Sequence, residues 1–377
     1  MGNTLTNLIP TIYAAADIVM RELTGFIPAV TLDASGEQVA KDQALRYPIV
    51  PANAASDIVP AATGPDPSAV TIGSDFMTIS KVRSVTFFWE AEEQKSLGGL
   101  YDIILRDQFA QAMRTLTNEV ETDLAALYVA ASRAHGTAGT TPFASDLSDA
   151  ANLLKILKDN GAPTNDLQLV INTTAGAKLR TLTQLTKANE AGSTDLLRRG
   201  ILLDVFSFAI RESAQIGLHT KGTGTGYLVN SGSGLAVGET TIPVDTGSGT
   251  ILAGDIVTFA ADTANKYVVT SALSGGSFKI AKPGLRVAIP DNNAVTVGNN
   301  YTPNLGFSRS AIHLLMRVPA MPLGGDAADD VTVITDPQTG ISFQVAMYRQ
   351  RRRIAYEVAL AWGVKAVKPE AIATLLG

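Results

Sequence analysis

"RIAYEVALAWGVKAVKPEAIATLLG" closes the chain, from Arg353 to Gly377. Its first half is apolar and rich in β-branched and aromatic residues, and Arg351, Arg352 and Arg353 stand at its head. That pattern reads as a buried strand led in by a basic turn, then a short tail. No residue in it is an obvious nucleophile, base or metal ligand, so a structural role is expected. Upstream, "VTVITDPQTGISFQVAMYR" (331–349) is a hairpin around Asp336-Pro337-Gln338-Thr339-Gly340, and "SAIHLLMRVPAMP" (310–322) is another apolar strand.

The longest periodic segment follows Gly98-Gly99. Phe109, Met113, Leu116, Val120, Leu124, Leu127 and Ala131 keep the helical period, with Arg106, Arg114, Glu121 and Arg133 mostly off that stripe. The spacing predicts a spine helix from Tyr101 to about Arg133, roughly 50 Å long. Residues 11–24 predict a short amphipathic helix stopped at Gly25. "ALRYPIVP" (44–51) is extended, the next stretch (51–70) is rich in Pro and Ala and lacks Lys and Arg, and "FMTISKVRSVTFFW" (76–89) alternates as one long strand. Together they predict two strands flanking a long projecting loop.

Residues 146–220 alternate helices and strands, as an α/β-type domain does. From about Gly222 the character changes. Six short strands, around 227–231, 240–245, 255–260, 266–273, 277–281 and 294–298, are separated by glycine-rich turns, which predicts a small barrel or sandwich. Its expected core is Ile242, Val244, Ile256, Phe259, Val268, Phe278 and Ile280, with Asp245, Asp262 and Lys279 facing outward. Gly222-Thr223-Gly224-Thr225-Gly226 leads into a strand and lacks Gly-Lys-Ser/Thr, so it reads as a flexible entry hinge rather than a phosphate loop.

Chemistry is thin. His135, His219 and His313 have no partner at metal-ligand spacing, and bland helix-end, loop and strand positions account for them. Glu90, Glu92 and Glu93 with Lys95 read as a solvated turn. Arg349, Arg351, Arg352 and Arg353 would face opposite ways along a strand and so form no single patch. No serine lies in Gly-x-Ser-x-Gly. No catalytic, cofactor-binding or metal site is expected, and the protein is not expected to be an enzyme. The sequence has no cysteine, which excludes disulfides and thiolate chemistry. A net charge of −5 argues against a dedicated nucleic-acid binder. Only 17% of residues are charged, which suits a chain that buries surface against copies of itself. The first basic residue is Arg21, so a secretion leader is not expected, and Asn172-Thr173-Thr174 is then a chance match to a glycosylation acceptor.

The layout and the closing residues resemble the major capsid protein of short-tailed double-stranded-DNA bacteriophages, in the branch with an extra inserted β-domain. Val358-Ala359-Leu360, Trp362-Gly363-Val364, Ala366 and Lys368-Pro369-Glu370-Ala371-Ile372 match that branch's C-terminal pattern, and Gly254-Asp255 with Phe259-Ala260 matches a turn and strand of its insert. Glu357 stands where the branch has a basic residue. The resemblance implies an α+β fold of the tailed-phage capsid type with a small inserted β-barrel: N-terminal arm (1–40), extended loop as a two-stranded hairpin (41–90), peripheral domain with the spine helix (91–142), axial domain (143–222), inserted β-domain (223–300) and return strands (301–377). The last strand would run from the axial domain back to the peripheral one. The implied function is a coat protein that self-assembles into hexamers and pentamers of an icosahedral shell. Scaffolding protein, a portal ring, a decoration protein and packaged double-stranded DNA would be its partners, with no membrane. It would form a procapsid in the host bacterial cytoplasm and end in the virion. An encapsulin-like compartment shell is the nearest alternative. A β-rich surface adhesin or carbohydrate-binding protein is the alternative of another class, disfavoured because Trp89 and Trp362 both lie outside the β-rich block.

Deleting residues 52–69 should leave a soluble, folded subunit while blocking shells or making them fragile. Circular dichroism of the subunit and electron microscopy of the assembly reaction check the two halves of that expectation.

Overall fold

The computed structural model describes residues 10–15, 25–49, 73–186, 206–322, 324–335 and 340–377. The loop segment 50–72, most of the expected N-terminal helix (residues 10–15 are helical), residues 187–205 and the hairpin tip 336–339 lie outside them.

The closing stretch forms the 14-residue strand Arg353–Ala366. Ala361 and Trp362 pair with Arg317 and Met316 on one side and with Val82 and Lys81 on the other. Since a residue has two strand edges, Lys81–Glu90 takes one edge and Ser342–Gln350 followed by Ile312–Pro319 takes the other. Asp330–Thr335 and Thr31–Val39 complete a six-stranded sheet. Trp362 is fully buried, and its indole N–H donates to Asp123 of the spine helix at 2.8 Å. Gly363 has a specific reason: a Cβ there would stand 2.0 Å from the carbonyl oxygen of Thr78, where the incoming chain crosses the strand.

The spine helix runs Tyr101–Ala125, about 37 Å at 1.5 Å per residue. Leu105, Phe109, Met113, Leu116, Val120 and Leu124 are all buried, each contributing about 1.5–3 kcal/mol. Phe109 meets Phe87 and Tyr356 edge-on, at 5.1 and 5.3 Å, which packs the helix on the six-stranded sheet. The helix is eight residues shorter than its period suggests. Nothing local stops it at Ala125. The chain instead tightens into a 3-10 turn, Ala126–Ala130, and becomes the strand Arg133–His135. Ladder bonds to Ala373–Leu375 and the Ser132 N–H and hydroxyl bonds to the Ile372 carbonyl replace the helical bonds lost.

That strand belongs to a second sheet, in the order Phe208–Ser213, Leu167–Asn172, Pro303–Ser308, Ile372–Leu376, Arg133–His135. The helix Ser148–Asp159 lies against it so closely that a Cβ on Gly306 would be 2.2 Å from Leu153. The chain therefore ends in this sheet. The last strands run from the six-stranded sheet into this one, because Pro369–Ala371 turns Ile372–Leu376 into register with Pro303–Phe307. One continuous core serves both sheets and the spine helix.

The sheet goes on into residues 223–300, since Lys266 and Tyr267 of strand Asp262–Ser274 pair with Ala134 and Arg133. Six strands, Leu228–Val229, Thr241–Asp245, Ile256–Phe259, Asp262–Ser274, Ser277–Ile280 and Val295–Val297, form a ladder that returns on itself through the bridge Leu228–Ala294. A second core lies inside it. Ile242, Val244, Phe259, Phe278 and Ile280 belong there, whereas Ile256 and Val268 face the main core. Asp262 does not face outward. It is buried, and its carboxylate accepts from the Tyr267 hydroxyl at 2.6 Å.

The expected long strand 76–89 is two strands. Gly73–Thr78 pairs with Ala44–Ile49 as a separate two-stranded sheet, and Lys81–Glu90 is a strand of the six-stranded sheet. The break at Ile79-Ser80 is where the chain drops into the sheet: Ile79 is buried with Met77, Val39, Leu315 and Ala361, and the Ser80 N–H donates to the Trp362 carbonyl.

Replacing Leu116 by Asp should lower stability by at least about 4 kcal/mol, since it buries a charge and leaves a cavity. Thermal melts followed by circular dichroism would read it. Gly363→Val should unseat the crossing chain with a comparable loss, whereas Gly99→Ala, at an open position, should change little.

Candidate functional site

None of the histidines lies in a metal-like cluster, and no group of three His, Asp or Glu side chains among the described residues could hold an ion. His135 sits 3.5 Å from Asp149, and His313 is half-buried on a strand, where desolvation pulls its pKa down. His219 is different. It is buried, its Nδ1 lies 2.8 Å from the Tyr128 hydroxyl, and its Nε2 lies 2.9 Å from Asp255 Oδ1. The ring is thus held at both nitrogens, between the Tyr128 hydroxyl and the Asp255 carboxylate.

Asp255 is fully buried and also accepts from the backbone N–H groups of Gly222 and Leu252. A Cβ on Gly254 would lie 2.7 Å from the Tyr128 ring, so only glycine admits the contact. Tyr301 stacks against His219 and donates its hydroxyl to the Gly254 carbonyl at 2.6 Å. This Tyr–His–Asp line has the order of a proton relay, but it sits inside a polar seam. Among the described residues, the clefts around Tyr348, Arg352 and Gly136 do not include its members. Its physical result is to join the end of the spine helix, the entry and exit of the β-rich block, and that block's Gly254-Asp255 turn. The glycine run 222–226 is thus pinned rather than free: Gly222 bonds Asp255, and Gly224 and Thr225 bond the carbonyls of Thr250 and Ser248.

Two further buried groups were assigned to the exposed face of the spine by its period. Glu121 is 1% exposed and accepts from the backbone N–H groups of Gly25, Phe26 and Ile27 at 3.3, 3.0 and 2.8 Å, and from the Ser213 hydroxyl at 2.9 Å. Burial pushes its carboxyl up against the opposite pull of these bonds. It fixes the point where the N-terminal segment joins the body. Arg133 donates to Asn265 of the β-rich block at 2.7 Å and to Asn160, which caps the helix Ser148–Asp159, at 3.1 Å. Lys266 donates to the Gly136 carbonyl beside it.

The surface carries the remaining candidates. A groove between the six-stranded sheet and Pro319, Met321, Pro322 and Asp326 is lined by Val82, Ser84, Ala346, Tyr348, Glu357 and Ala359. The Tyr348 hydroxyl lies between two carboxylates, Asp326 at 2.6 Å and Glu357 at 3.0 Å. A second cleft brings Glu90, Glu92 and Lys95 together with Arg351, Arg352 and Arg353. The arginines share one patch after all, because Arg351 and Arg352 form the hairpin turn and not a strand; Arg352 has φ +62°.

Among solved structures, the capsid of cyanophage P-SCSP1u aligns with 94% of this chain and 88% of its own, with a TM-score of 0.50 and 13% sequence identity. The fold is that of a tailed-phage capsid subunit. The mature capsid of bacteriophage PhiM1 aligns over 94% of this chain and 87% of its own at 9% identity and a TM-score of 0.49. A virus-like particle from Pyrococcus furiosus aligns over 97% and 98% at 11% identity and 0.46. No family model matches the sequence, and no curated protein matches it.

Asp255→Asn should cost about 3 kcal/mol or more, since the amide turns donors toward the N–H groups of Gly222 and Leu252. The melt should split in two as the β-rich block loosens. Glu121→Ala, which strips the acceptor from three buried N–H groups, should make the chain before Phe26 sensitive to limited proteolysis while the far-ultraviolet circular dichroism holds.

Proposed function

We propose that this chain is a major capsid protein, which self-assembles into hexamers and pentamers of an icosahedral shell around double-stranded DNA. The observation that carries the reading is the alignment of nearly the whole chain with the cyanophage capsid subunit. Local features support it: a separate two-stranded hairpin, Ala44–Ile49 with Gly73–Thr78, and a net charge of −5, which suits a wall that releases the DNA it encloses. Modest interfaces repeated between identical copies then close by symmetry.

The finer assignment is to the short-tailed branch. The division into arm (1–40), extended loop (41–90), peripheral domain (91–142), axial domain (143–222), inserted β-domain (223–300) and return strands (301–377) is part of the proposal. Its support is the second core of residues 227–295, with the matched Gly254-Asp255 turn as the docking point. Scaffolding protein, portal ring and decoration protein are the proposed partners, the host cytoplasm the proposed site of assembly, and the chain carries out no chemical step.

Negative-stain electron microscopy of the purified protein tests the reading. Closed shells of uniform size are the expected result, in the presence of a scaffold if not alone. A protein that stays monomeric under all such conditions would sink it. An enzyme cargo inside particles isolated from the source cell, with no DNA, would favour the encapsulin-like alternative.

A further inference from the structure

Asn160 and Gly161 form the one Asn-Gly pair in the sequence. The fold needs each residue for its own reason. The helix Ser148–Asp159 ends at Asn160, whose φ of −87° and ψ of −4° still follow the helix. Gly161 then turns left-handed at φ +74°. The Gly161 and Ala162 N–H groups close the helix by donating to the Lys158 and Leu157 carbonyls at 2.9 and 3.0 Å. Space is not the reason for glycine there, since a Cβ would meet nothing within 4 Å; the sign of φ is. The Asn160 side chain does a different job. Its amide nitrogen donates to the Ser132 hydroxyl and the Glu370 carbonyl, both at 2.9 Å, and its oxygen accepts from Arg133 at 3.1 Å. One amide thus ties the helix to the chain after the spine and to the turn before the last strand.

Asparagine followed by glycine carries a reaction of its own. The Gly161 nitrogen can attack the side-chain carbonyl carbon of Asn160, and no Cβ on glycine shields that nitrogen. A five-membered succinimide forms as the new N–C bond closes and the Cγ–Nδ2 bond breaks. The side-chain nitrogen leaves as ammonia, taking the proton from Gly161. Water then opens the ring at either carbonyl, which leaves aspartate or isoaspartate. The folded subunit withholds every part of this arrangement. The Asn160 backbone is held helical, the Gly161 N–H is engaged by Lys158, and both amide atoms are bound to other segments. A reaction that needs its atoms brought together is stopped when each is fixed elsewhere.

We propose that Asn160-Gly161 is a self-modification site, closed in the intact subunit and opened when the last strand and the chain after the spine come away from the helix, and that deamidation there makes the opening permanent. The product explains the second half. Aspartate or isoaspartate at 160 has no N–H for the Glu370 carbonyl. It has none for the Ser132 hydroxyl either, whose own proton goes to the Ile372 carbonyl at 2.7 Å. A carboxylate would face two acceptors, which is costly in a part-buried site. Arg133 would attract the new charge, but Asp159 already lies 3.7 Å from that guanidinium. Isoaspartate also lengthens the backbone at the residue where the helix closes. A chain that stays open at this point is thereby withdrawn from refolding.

Full-length protein kept at mildly alkaline pH, with and without unfolding guanidinium chloride, tests the site. Peptide mapping by mass spectrometry reads the conversion of Asn160. Conversion should be at least about tenfold slower in the folded protein than in the denaturant, because it must wait for local opening. In the denaturant, Gly161→Ala should slow it by about the same factor, whether or not that variant folds, because the new Cβ shields the attacking nitrogen. After the denaturant is removed, the protease-resistant fraction should be depleted of converted Asn160 relative to the fraction that fails to refold.

Equal rates with and without denaturant, no conversion in denaturant, or no slowing by Gly161→Ala overturn the site. Equal conversion in the refolded and unrefolded fractions overturns its effect. Each of these results leaves the capsid reading as it stands.

Discussion

The strand Arg353–Ala366 is the constraint on which the subunit depends. Both its edges are taken along most of its length, and through Trp362 it reaches the spine helix at Asp123, which Lys81 of the neighbouring strand also meets at 2.7 Å. Gly363 lets the chain at Thr78 cross directly over it. A shift of one residue along this strand would turn Tyr356, Val358, Leu360 and Trp362 out of the core. It would also unpair Glu90 from Arg353. The placement of the hairpin and the spine helix follows from that single register.

Around this strand two kinds of cohesion divide the work. Apolar burial makes the two cores, and it is insensitive to direction. The seam between them is polar and specific: Tyr128–His219–Asp255, Arg133 with Asn160 and Asn265, and the Lys266–Gly136 bond all sit where the β-rich block meets the rest of the subunit. Buried polar groups add little net stability compared with well-packed apolar ones, but each is expensive to leave unpaired. Such a seam therefore admits one orientation of the block and penalises the rest.

The same logic applies at Glu121. An arm held only by apolar contact could slide. Three successive N–H groups on one buried carboxylate fix residues 25–27 to within a hydrogen-bond length, and Gly25 lies against the Glu212 carbonyl, where a Cβ would be 2.5 Å away.

By itself, the sequence determined the elements whose pattern is local. The 3.6-residue stripe of the spine, the alternating strands of the β-rich block and the apolar closing strand all follow from side-chain periodicity. The strands of the β-rich block and the closing strand fall within a few residues of their expected bounds, and the spine begins at Tyr101 as its period predicts. The tertiary structure alone decided where those patterns yield. The spine stops at Ala125 because ladder bonds with Ile372–Leu376 outcompete helical ones, and no residue at 126–132 announces it. Glu121, Arg133, Asp262 and His219 look like surface or loop residues, because a polar side chain carries no local sign of a partner ninety residues away. Their roles exist only once Ser213, Asn265 and Asp255 have been brought to them. The two charge clusters at 90–95 and 349–353 are likewise separate features in the sequence. Pairing Arg353 with Glu90 across the ladder makes them one surface.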